Sequence, residues 1–440
     1  MKAYSVEESA IRKVKIYILP FVFLLYVVSY IDRANVGYAA LTMNKALGIS
    51  SQAFGLLSGI FFIGYFLFEV PSNMLMRKVG AKKWIARILI SWGIIDLLTT
   101  WAQNTTHIFV IRFLLGVAEA GLFLGIILYL TYWFPAKEQA RAFAIFMLAI
   151  PASNIISAPV STWVMSHVHW FGLAGWRWMF FIEAIPAILL GVITLFFLVD
   201  NPDKAKWLSR EERQWLIDKL NREDAVKPVQ AHRRLEVFRQ PSLWRFSVIY
   251  LSVTMGSYSV SLWLPTIVSS FSKILTPFEV GLITMIPYII GGVSMILWSR
   301  HSDRTDERRV HTWLPSLVGV VGLFICGYGH NPVIMIIGMT LTVMGIYCFF
   351  GPFWALPAEY LNKDTSAAGL ATINSIGNIG GFVGPYVIGY LKGATGNVNA
   401  GLYFLCGGFI LGLLLLLSNQ KETRQRSVYF ESGIVNCTVL

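Results

Sequence analysis

The sequence predicts an all-α polytopic membrane protein with twelve transmembrane helices in two six-helix halves. Of its 440 residues, 55% are hydrophobic and only 14% are charged, whereas soluble proteins carry about 25% charged residues. Twelve apolar segments are each long enough to cross a bilayer core, which takes about 20 residues of helix. None of them alternates polar and apolar residues, which excludes a transmembrane β-barrel. The predicted spans are 15–40, 53–76, 83–103, 107–132, 138–166, 175–199, 243–270, 277–299, 311–329, 332–358, 363–392 and 400–418.

The distribution of positive charge predicts how the helices are oriented. If both termini are cytoplasmic, the short inner loops and the termini hold 19 lysine and arginine residues, not counting the long connection 200–242, and the outer loops hold four. Such an excess is typical of the cytoplasmic side. The net charge of +12 therefore orients the protein and requires no nucleic acid. The compact loops favour a bacterial inner membrane. The first apolar run is expected to be kept as helix 1, because no small-residue cleavage site follows it.

One long polar connection, residues 200–242, divides the chain into two parts. We expect an N-terminal bundle at 1–199 and a C-terminal bundle with a cytoplasmic tail at 243–440. Within the connection, Ser209 and Glu212 form a capping-box pattern, which predicts a helix on the cytoplasmic surface.

The two halves share a basic loop after their second helix, "MRKVGAKKW" at 76–84 and "SDRTDERRVHTW" at 302–313. Matching loops at matching places predict a duplicated transporter with its substrate bound between the halves. A membrane sensor that binds its ligand without moving it is the alternative, but the sequence shows no soluble domain through which a sensor would signal.

Helix 1 carries the most informative charged residues. Tyr26, Tyr30, Arg33 and Gly37 follow the spacing of one helix face, so two phenols and a guanidinium form a single stripe. This stripe suits a hydroxylated anion; the alternative is aromatic packing around a snorkelling arginine. Asp32 lies about 100° around the helix from Arg33, so the two residues should not be each other's main partner.

Helix 4 carries a second charged pair. Arg112 and Glu119 are seven residues apart and therefore share a face, and we expect them to converge with Arg33 and Asp32 in the N-terminal half. A carboxylate that pairs with an arginine in one conformation and not in another can load and release a proton. The alternative is a static salt bridge between helices 1 and 4.

The other intramembrane acidic residues are less informative. Glu69 could belong to the same cavity or to a helix contact, and Asp96 stays unassigned. Glu183 and Glu359 lie towards helix ends, which favours structural roles.

The C-terminal half is poor in deep charges but rich in glycine and amide residues. Its helix 11 contains "GLATINSIGNIGGFVGP" at 369–385, in which Asn374 and Asn378 are one turn apart. Glycines allow close packing, and amides can bond substrate hydroxyls; glycine packing alone is the alternative. We expect no metal or cofactor, and protons as the coupling ion.

At these residues the chain resembles the anion:cation symporter family of the major facilitator superfamily, in particular the sugar-acid permeases that carry tartrate, rhamnonate or galactonate. The stretches that carry the resemblance are "YIDRANVGYAALTM", "RFLLGVAEAG", "YWFPAKEQARA", "DNPDKAKWLSREE" and "GWRWMFFIEA". The resemblance implies a proton-coupled transporter, not an enzyme, that works by alternating access.

The resemblance also implies roles for individual residues. The implied substrate-binding residues are Tyr30, Arg33, Tyr65, Trp354 and Asn374. The implied proton-coupling residues are Asp32 and Glu119, with Arg112 as the partner of Asp32.

The chain departs from the family pattern at three places. Arg77 replaces the acidic residue of the first inner-loop motif, so gating is expected to depend on Asp303 and Arg304 of the second. Ile150 and Gly351 stand where some sugar-acid permeases carry a glutamine and a serine, which leaves the exact anion open.

The sequence thus predicts a monomeric symporter that imports a small hydroxylated carboxylate, a sugar acid or a tartrate-like anion, with protons. The alternative within the same fold is an exporter or exchanger of aromatic or drug-like anions.

Overall fold

The computed structural model describes residues 5–225, 238–272, 274–329, 331–360 and 366–431. The middle of the linker and the tail beyond residue 431 lie outside these ranges. Within them the chain is helical apart from turns and short connections, and no β-strand is found. The helices are α1 (Val6–Leu47), α2 (Ser51–Val79), α3 (Ala81–Leu98), α4 (Thr105–Glu119), α5 (Leu122–Thr131), α6 (Ala136–Met147), α7 (Ala149–His167), α8 (Gly175–Phe197), α9 (Arg210–Ala225), α10 (Pro241–Ser269), α11 (Pro277–Thr305), α12 (Val310–Tyr328), α13 (Pro332–Tyr360), α14 (Ser366–Asn378), α15 (Gly380–Thr395) and α16 (Asn399–Glu431).

The predicted all-α polytopic fold is confirmed. In the part of the chain that the structure describes, 11 helices or consecutive helix pairs are long and apolar enough to cross a membrane. The remaining predicted span, 363–392, corresponds to α14 followed by α15. Each of these two helices is shorter than a bilayer core, and together they make the twelfth span.

Three spans that the sequence predicts as continuous are interrupted. α4 and α5 meet at Ala120 and Gly121, α6 and α7 meet at Leu148, and α14 and α15 meet at Ile379. Gly121 has a φ of +88°, and a Cβ atom there would lie 2.5 Å from Ser72 Oγ, so only glycine fits both the backbone and the space. Interrupted helices inside a membrane protein are tolerated where protein surrounds them, and they often border a substrate site.

The two halves pack closely at the helix ends that the charge distribution places outside. A Cβ atom on Gly55 of α2 would lie 2.6 Å from the backbone oxygen of Pro385 in α15, and one on Gly37 of α1 would lie 2.9 Å from that of Leu262 in α10. Gly281 of α11 approaches the backbone of α7 in the same way. With the predicted topology, the structure is therefore closed towards the outside.

The linker helix α9 begins with the predicted capping box. The Glu212 backbone N–H donates to Ser209 Oγ at 3.2 Å, and the Ser209 N–H donates to Glu212 Oε2 at 2.8 Å. Glu212 also accepts hydrogen bonds from Ser9 at 2.6 Å and Lys13 at 2.7 Å, both in α1. Burial raises the pKa of Glu212, but the hydrogen bonds from Lys13, Ser9 and Ser209 outweigh it and lower the pKa to about 2. α9 is thus fastened to the N-terminal half, while the predicted domain limits stay a prediction.

Candidate functional site

A cavity with about 420 Å³ of empty space lies between the two halves. Aromatic side chains make up half of its lining, and Arg33 is the charged residue among those that line it. A neighbouring cavity of about 310 Å³ shares Tyr30, Ile150, Ser257 and Tyr258 with it. The residues that line the larger cavity are Tyr26, Tyr30, Arg33, Tyr65, Phe123, Met147, Ile150, Tyr250, Thr254, Ser257, Tyr258, Phe350, Asn374 and Asn378.

The interrupted helices meet at this cavity. Met147 and Ile150 flank the interruption between α6 and α7, and Asn378 is the last residue of α14. Residues on both sides of the α6–α7 interruption, and the last residue of α14, therefore border the same space. The continuous spans predicted from sequence do not show this.

Arg33 is held at the cavity wall by one carboxylate and several aromatic rings. Its side chain is 8% exposed, and Nε donates to Glu119 Oε1 at 2.8 Å. Nη1 donates to the hydroxyl of Tyr258 at 3.4 Å, and Cζ lies 5.1 Å from the ring centres of both Tyr30 and Tyr65. Nη2 is buried, and among the described residues it has no hydrogen-bond partner. The guanidinium therefore keeps a donor that a bound anion could use.

Glu119 is the last residue of α4, directly before the interruption at Gly121. Its side chain is 1% exposed, and Oε1 accepts hydrogen bonds from both Arg33 and Ser29. The predicted approach of Arg33 and Glu119 is therefore observed. The Cζ atom of Arg112 lies 5.1 Å from the centre of the Phe61 ring, and the Arg33 Cζ lies 5.6 Å from the same ring.

The expected ion pair between Asp32 and Arg112 is not present. Over the residues that the structure describes, neither oxygen of Asp32 has a hydrogen-bond partner, and neither do Nε and Nη1 of Arg112. The reason is the direction of α1: Arg33 faces Glu119, so Asp32, about 100° further round, faces elsewhere.

Asp96 and Glu183 lie in the interior of the N-terminal half and do not line the cavity. Asn35 Nδ2 donates to Asp96 Oδ2 at 3.4 Å, and Ser161 Oγ donates to Glu183 Oε1 at 2.6 Å. These contacts join α1 to α3 and α7 to α8, which fits the structural role expected for Glu183. The side chain of Glu359 lies outside the described part of the chain.

The expected residues of helices 2, 10 and 11 differ in where they lie. Tyr65 and Asn374 line the cavity, and their role in substrate binding stays a prediction. Trp354 does not line it in this conformation; its ring packs edge-on against Tyr250, with 4.8 Å between ring centres. Glu69 accepts hydrogen bonds from Asn374 and from Ser375, so it forms a contact between the two halves rather than a part of the wall.

Sequence reasoning missed one wall of the cavity. Tyr250, Thr254 and Tyr258 of α10 all line it, and Tyr258 bonds Arg33 directly. Their four-residue spacing places them on one helix face, which was a usable signal. α10 carries no acidic or basic residue deep in the membrane, so a search based on charges passes over it.

The predicted gating residues Asp303 and Arg304 lie in the last turn of α11, next to the connection to α12. Asp303 Oδ1 pairs with Arg308 Nη1 at 2.6 Å, and the Asp303 side chain is 69% exposed. In the first loop, Asp200 Oδ1 accepts the backbone N–H of Lys82 at 2.8 Å. The Asp303–Arg308 contact lies within the C-terminal half, and the Lys82–Asp200 contact joins the N-terminal half to the start of the connection 200–242. The gating role of Asp303 and Arg304 stays a prediction.

Comparisons with known proteins agree with this architecture. A family model described as "Major Facilitator Superfamily" matches residues 22–385. A protein of Agrobacterium vitis, provisionally named as a tartrate transporter, is 46% identical over 96% of this chain and 95% of its own length. The "Quinolone resistance transporter" of Acinetobacter baumannii is 39% identical over 93% and 94%. "Inner membrane transport protein RhmT" of Escherichia coli K12 is 31% identical over 93% and 95%.

Solved structures support the same fold. A crystal structure of a D-xylose-proton symporter superposes with a TM-score of 0.73 at 15% identity, over 91% of this chain and 96% of the other. An inward-facing bacterial homologue of the human lysosomal transporter Spinster gives a TM-score of 0.69 at 17% identity, over 92% and 94%. With a matching family model and relatives that align over nearly its whole length, this chain belongs to the major facilitator superfamily of membrane transporters.

Proposed function

We propose that this transporter imports a small hydroxylated organic anion, a sugar acid or tartrate-like carboxylate, together with protons across the inner membrane. A relative that is 46% identical has a name that points to tartrate, and the cavity combines one guanidinium with phenols and amides. Both termini would be cytoplasmic, in line with the charge distribution. The working unit would be a monomer, because the cavity is built within a single chain.

The observation that carries this proposal is the Arg33–Glu119 contact of 2.8 Å at the cavity. Protonation of Glu119 would remove its charge and weaken a charge-assisted hydrogen bond. The guanidinium of Arg33 would then be available to a substrate carboxylate. Loss of the proton would restore the pair and displace the substrate, so proton and anion would occupy the site together. Arg33 thus replaces Arg112 as the arginine through which coupling would act.

A second candidate is the transport of aromatic or drug-like anions. Seven aromatic side chains line the cavity, and a relative that is 39% identical is named for quinolone resistance. Aromatic rings around a guanidinium can stack on a flat aromatic acid as well as on a sugar acid.

Uptake into proteoliposomes distinguishes the two candidates. With an inward proton gradient, we expect labelled tartrate or an aldonate to accumulate, and a protonophore to abolish the accumulation. Competition by unlabelled hydroxy acids, but not by a fluoroquinolone or benzoate, would support the first candidate. Accumulation of the fluoroquinolone without that of any hydroxy acid would contradict it.

A further inference from the structure

Glu69 is a buried carboxylate that the proposed transport cycle does not use. It lies in α2 of the N-terminal half and is 1% exposed. Oε1 accepts a hydrogen bond from Asn374 Nδ2 at 3.3 Å, and Oε2 accepts one from Ser375 Oγ at 3.1 Å. Both donors belong to α14 of the C-terminal half. Within the described ranges, Glu69 has no lysine, arginine or histidine within ion-pair distance.

The contact continues an antiparallel seam between α2 and the α14–α15 pair. Towards the outer end, Gly55 of α2 meets Pro385, and nearer the middle Gly381 packs against the ring of Phe62. At those two places the helices approach closely because a glycine leaves room. At Glu69 the seam is instead closed by side-chain hydrogen bonds, directly beside the cavity that Asn374 lines.

The carboxylate of Glu69 dictates how the Asn374 amide is turned. Asn374 Nδ2 donates to Glu69 Oε1 at 3.3 Å, so the NH₂ group of the amide faces Glu69. The carbonyl oxygen on the other side of the amide is then directed away from Glu69. Among the described residues, no hydrogen bond uses this oxygen, although Asn374 is part of the cavity wall.

The neighbouring hydroxyl on α10 does not compete for that oxygen. Thr254 Oγ1 donates to the backbone oxygens of Gly377 at 2.6 Å and Tyr250 at 2.9 Å. Its proton is therefore committed to the backbone. The Asn374 carbonyl is left as an acceptor in a cavity that Arg33 also lines.

We propose that Glu69 is a positioning residue that holds Asn374 with its carbonyl oxygen towards the cavity, so that this wall selects a substrate group that donates a hydrogen bond. This inference rests on the proposed function, and it assigns the selectivity for substrate hydroxyls to the Glu69–Asn374 pair. Arg33 would bind the carboxylate, and the Asn374 carbonyl would accept the proton of a substrate hydroxyl. An acid without hydroxyls would leave this acceptor without a partner inside the cavity, which is unfavourable.

The test compares tartrate, malate and succinate, which differ only in having two, one or no hydroxyl groups. Their KM or inhibition constants are measured in proteoliposomes for the wild type, Glu69→Gln, Asn374→Ala and the double variant. A glutamine at position 69 can donate to the Asn374 carbonyl and turn the amide round. We expect Glu69→Gln to weaken tartrate binding by about tenfold, the effect of one lost hydrogen bond. The KM or inhibition constant of succinate should change less than about twofold.

Two controls separate positioning from a general structural effect. Ser375→Ala removes the other hydrogen bond to Glu69 and should keep the tartrate-to-succinate ratio of the wild type. The double variant should be no less selective than Asn374→Ala alone, because both changes act on one contact. An unchanged ratio in Glu69→Gln, or additive losses in the double variant, would overturn the proposal.

The same data separate this inference from the proposed function. A wild type that prefers succinate or benzoate to tartrate contradicts the substrate class, and with it the role of Glu69. A wild type that prefers tartrate, with Glu69→Gln retaining that preference, contradicts the role of Glu69 alone.

Discussion

Arg33 is half of a buried ion pair, and this determines how its role must be tested. Removing one partner of such a pair leaves the other charge buried without compensation, which costs about 3–5 kcal/mol. A simple Arg33→Ala variant would therefore lose stability as well as binding. Fold and function have to be measured separately, and the partner Glu119 offers the means.

Arg33→Lys is expected to abolish transport and ligand-induced stabilisation while it recovers part of the melting temperature that Arg33→Ala loses. A lysine can pair with Glu119 as a point charge, but it lacks the planar fork that binds a carboxylate at two places. Thermal unfolding with and without ligand, together with uptake, measures both effects. Combining Arg33→Ala with Glu119→Gln should restore stability without uptake. Normal uptake by the lysine variant would disprove the assignment.

At the scale of single residues, the sequence was most informative where one helix carries several site residues. The stripe of Tyr26, Tyr30 and Arg33 follows from helical spacing alone, and all three residues line the cavity. Spacing does not reveal which residue of another helix faces the stripe. The contact between Arg33 and Tyr258 joins positions 225 residues apart, and the partner of Arg112 was assigned wrongly for the same reason.

At the scale of helices, composition predicted the spans but not their interruptions. The interruption after Glu119 depends on Gly121, which has a positive φ. From sequence alone, a glycine with a positive φ cannot be distinguished from a glycine that serves helix packing. The interruption between α14 and α15 has Ile379 at its centre, flanked by Gly377, Gly380 and Gly381, and glycines used for helix packing look the same in sequence. These interruptions follow from tertiary packing around the cavity.

The glycine contacts between the halves predict how closure can be disturbed. In Gly55→Val, a side chain would be forced against the backbone of Pro385, 2.6 Å from the position of Cβ. Overpacking of this kind costs about 1–3 kcal/mol, and the halves can relieve it by separating at this end. We expect uptake to fall by about tenfold and distances between spin labels on the outer ends of α2 and α15 to increase.

Gly407→Val is the matched control for this change. It lies in α16, where nothing is within 4 Å of an added Cβ atom, so uptake and label distances should stay those of the wild type. Unchanged distances in Gly55→Val would show that this seam does not open during transport.

The attachment of α9 to α1 predicts a pH-dependent contribution to stability. Glu212 has a pKa of about 2 in the folded protein, below its value in the unfolded chain of about 4.3. A carboxylate whose pKa is lower in the folded protein contributes its full stabilisation when the pH is above the pKa of the unfolded chain. This stabilisation is lost as the pH falls through the folded-state pKa of about 2. Glu212→Gln should therefore cost about 1–3 kcal/mol at every pH between 5 and 8.

The measurement is thermal unfolding in detergent across that pH range. The exposed neighbour Glu211 provides the control, since Glu211→Gln should leave the melting temperature within about 1 °C of the wild type, as is usual for surface substitutions. A difference between wild type and Glu212→Gln that vanishes already at pH 6 would contradict the lowered pKa.

At the scale of the whole molecule, the two halves have different tasks. The N-terminal half holds the charged groups, Arg33 with Glu119 and the interior carboxylates, whereas the C-terminal half contributes phenols and amides to the cavity. This division was visible in the sequence, because the helices after the linker are poor in deep charges. The sequence could not show that Glu119, which is expected to carry the proton, is hydrogen-bonded to Arg33, which is expected to bind the anion.

That direct bond predicts the behaviour of the whole transport cycle when Glu119 is made neutral. Glu119→Gln keeps the shape of the side chain but cannot lose a proton, so it imitates the state in which Arg33 is available to the anion. We expect this variant to bind substrate and to exchange it across the membrane in counterflow, yet to fail to accumulate it on an inward proton gradient. Asp32→Asn is also expected to lose gradient-driven uptake.

Glu183→Gln is the matched control, because it neutralises a buried carboxylate of the same half that bonds Ser161 and does not line the cavity. Its gradient-driven uptake should remain, and with it the ratio of accumulation to counterflow. If Glu119→Gln also concentrates substrate on the gradient, Glu119 is a structural partner of Arg33. The coupling proton must then bind elsewhere, and Asp32, whose carboxylate oxygens have no partner among the described residues, becomes the residue to test.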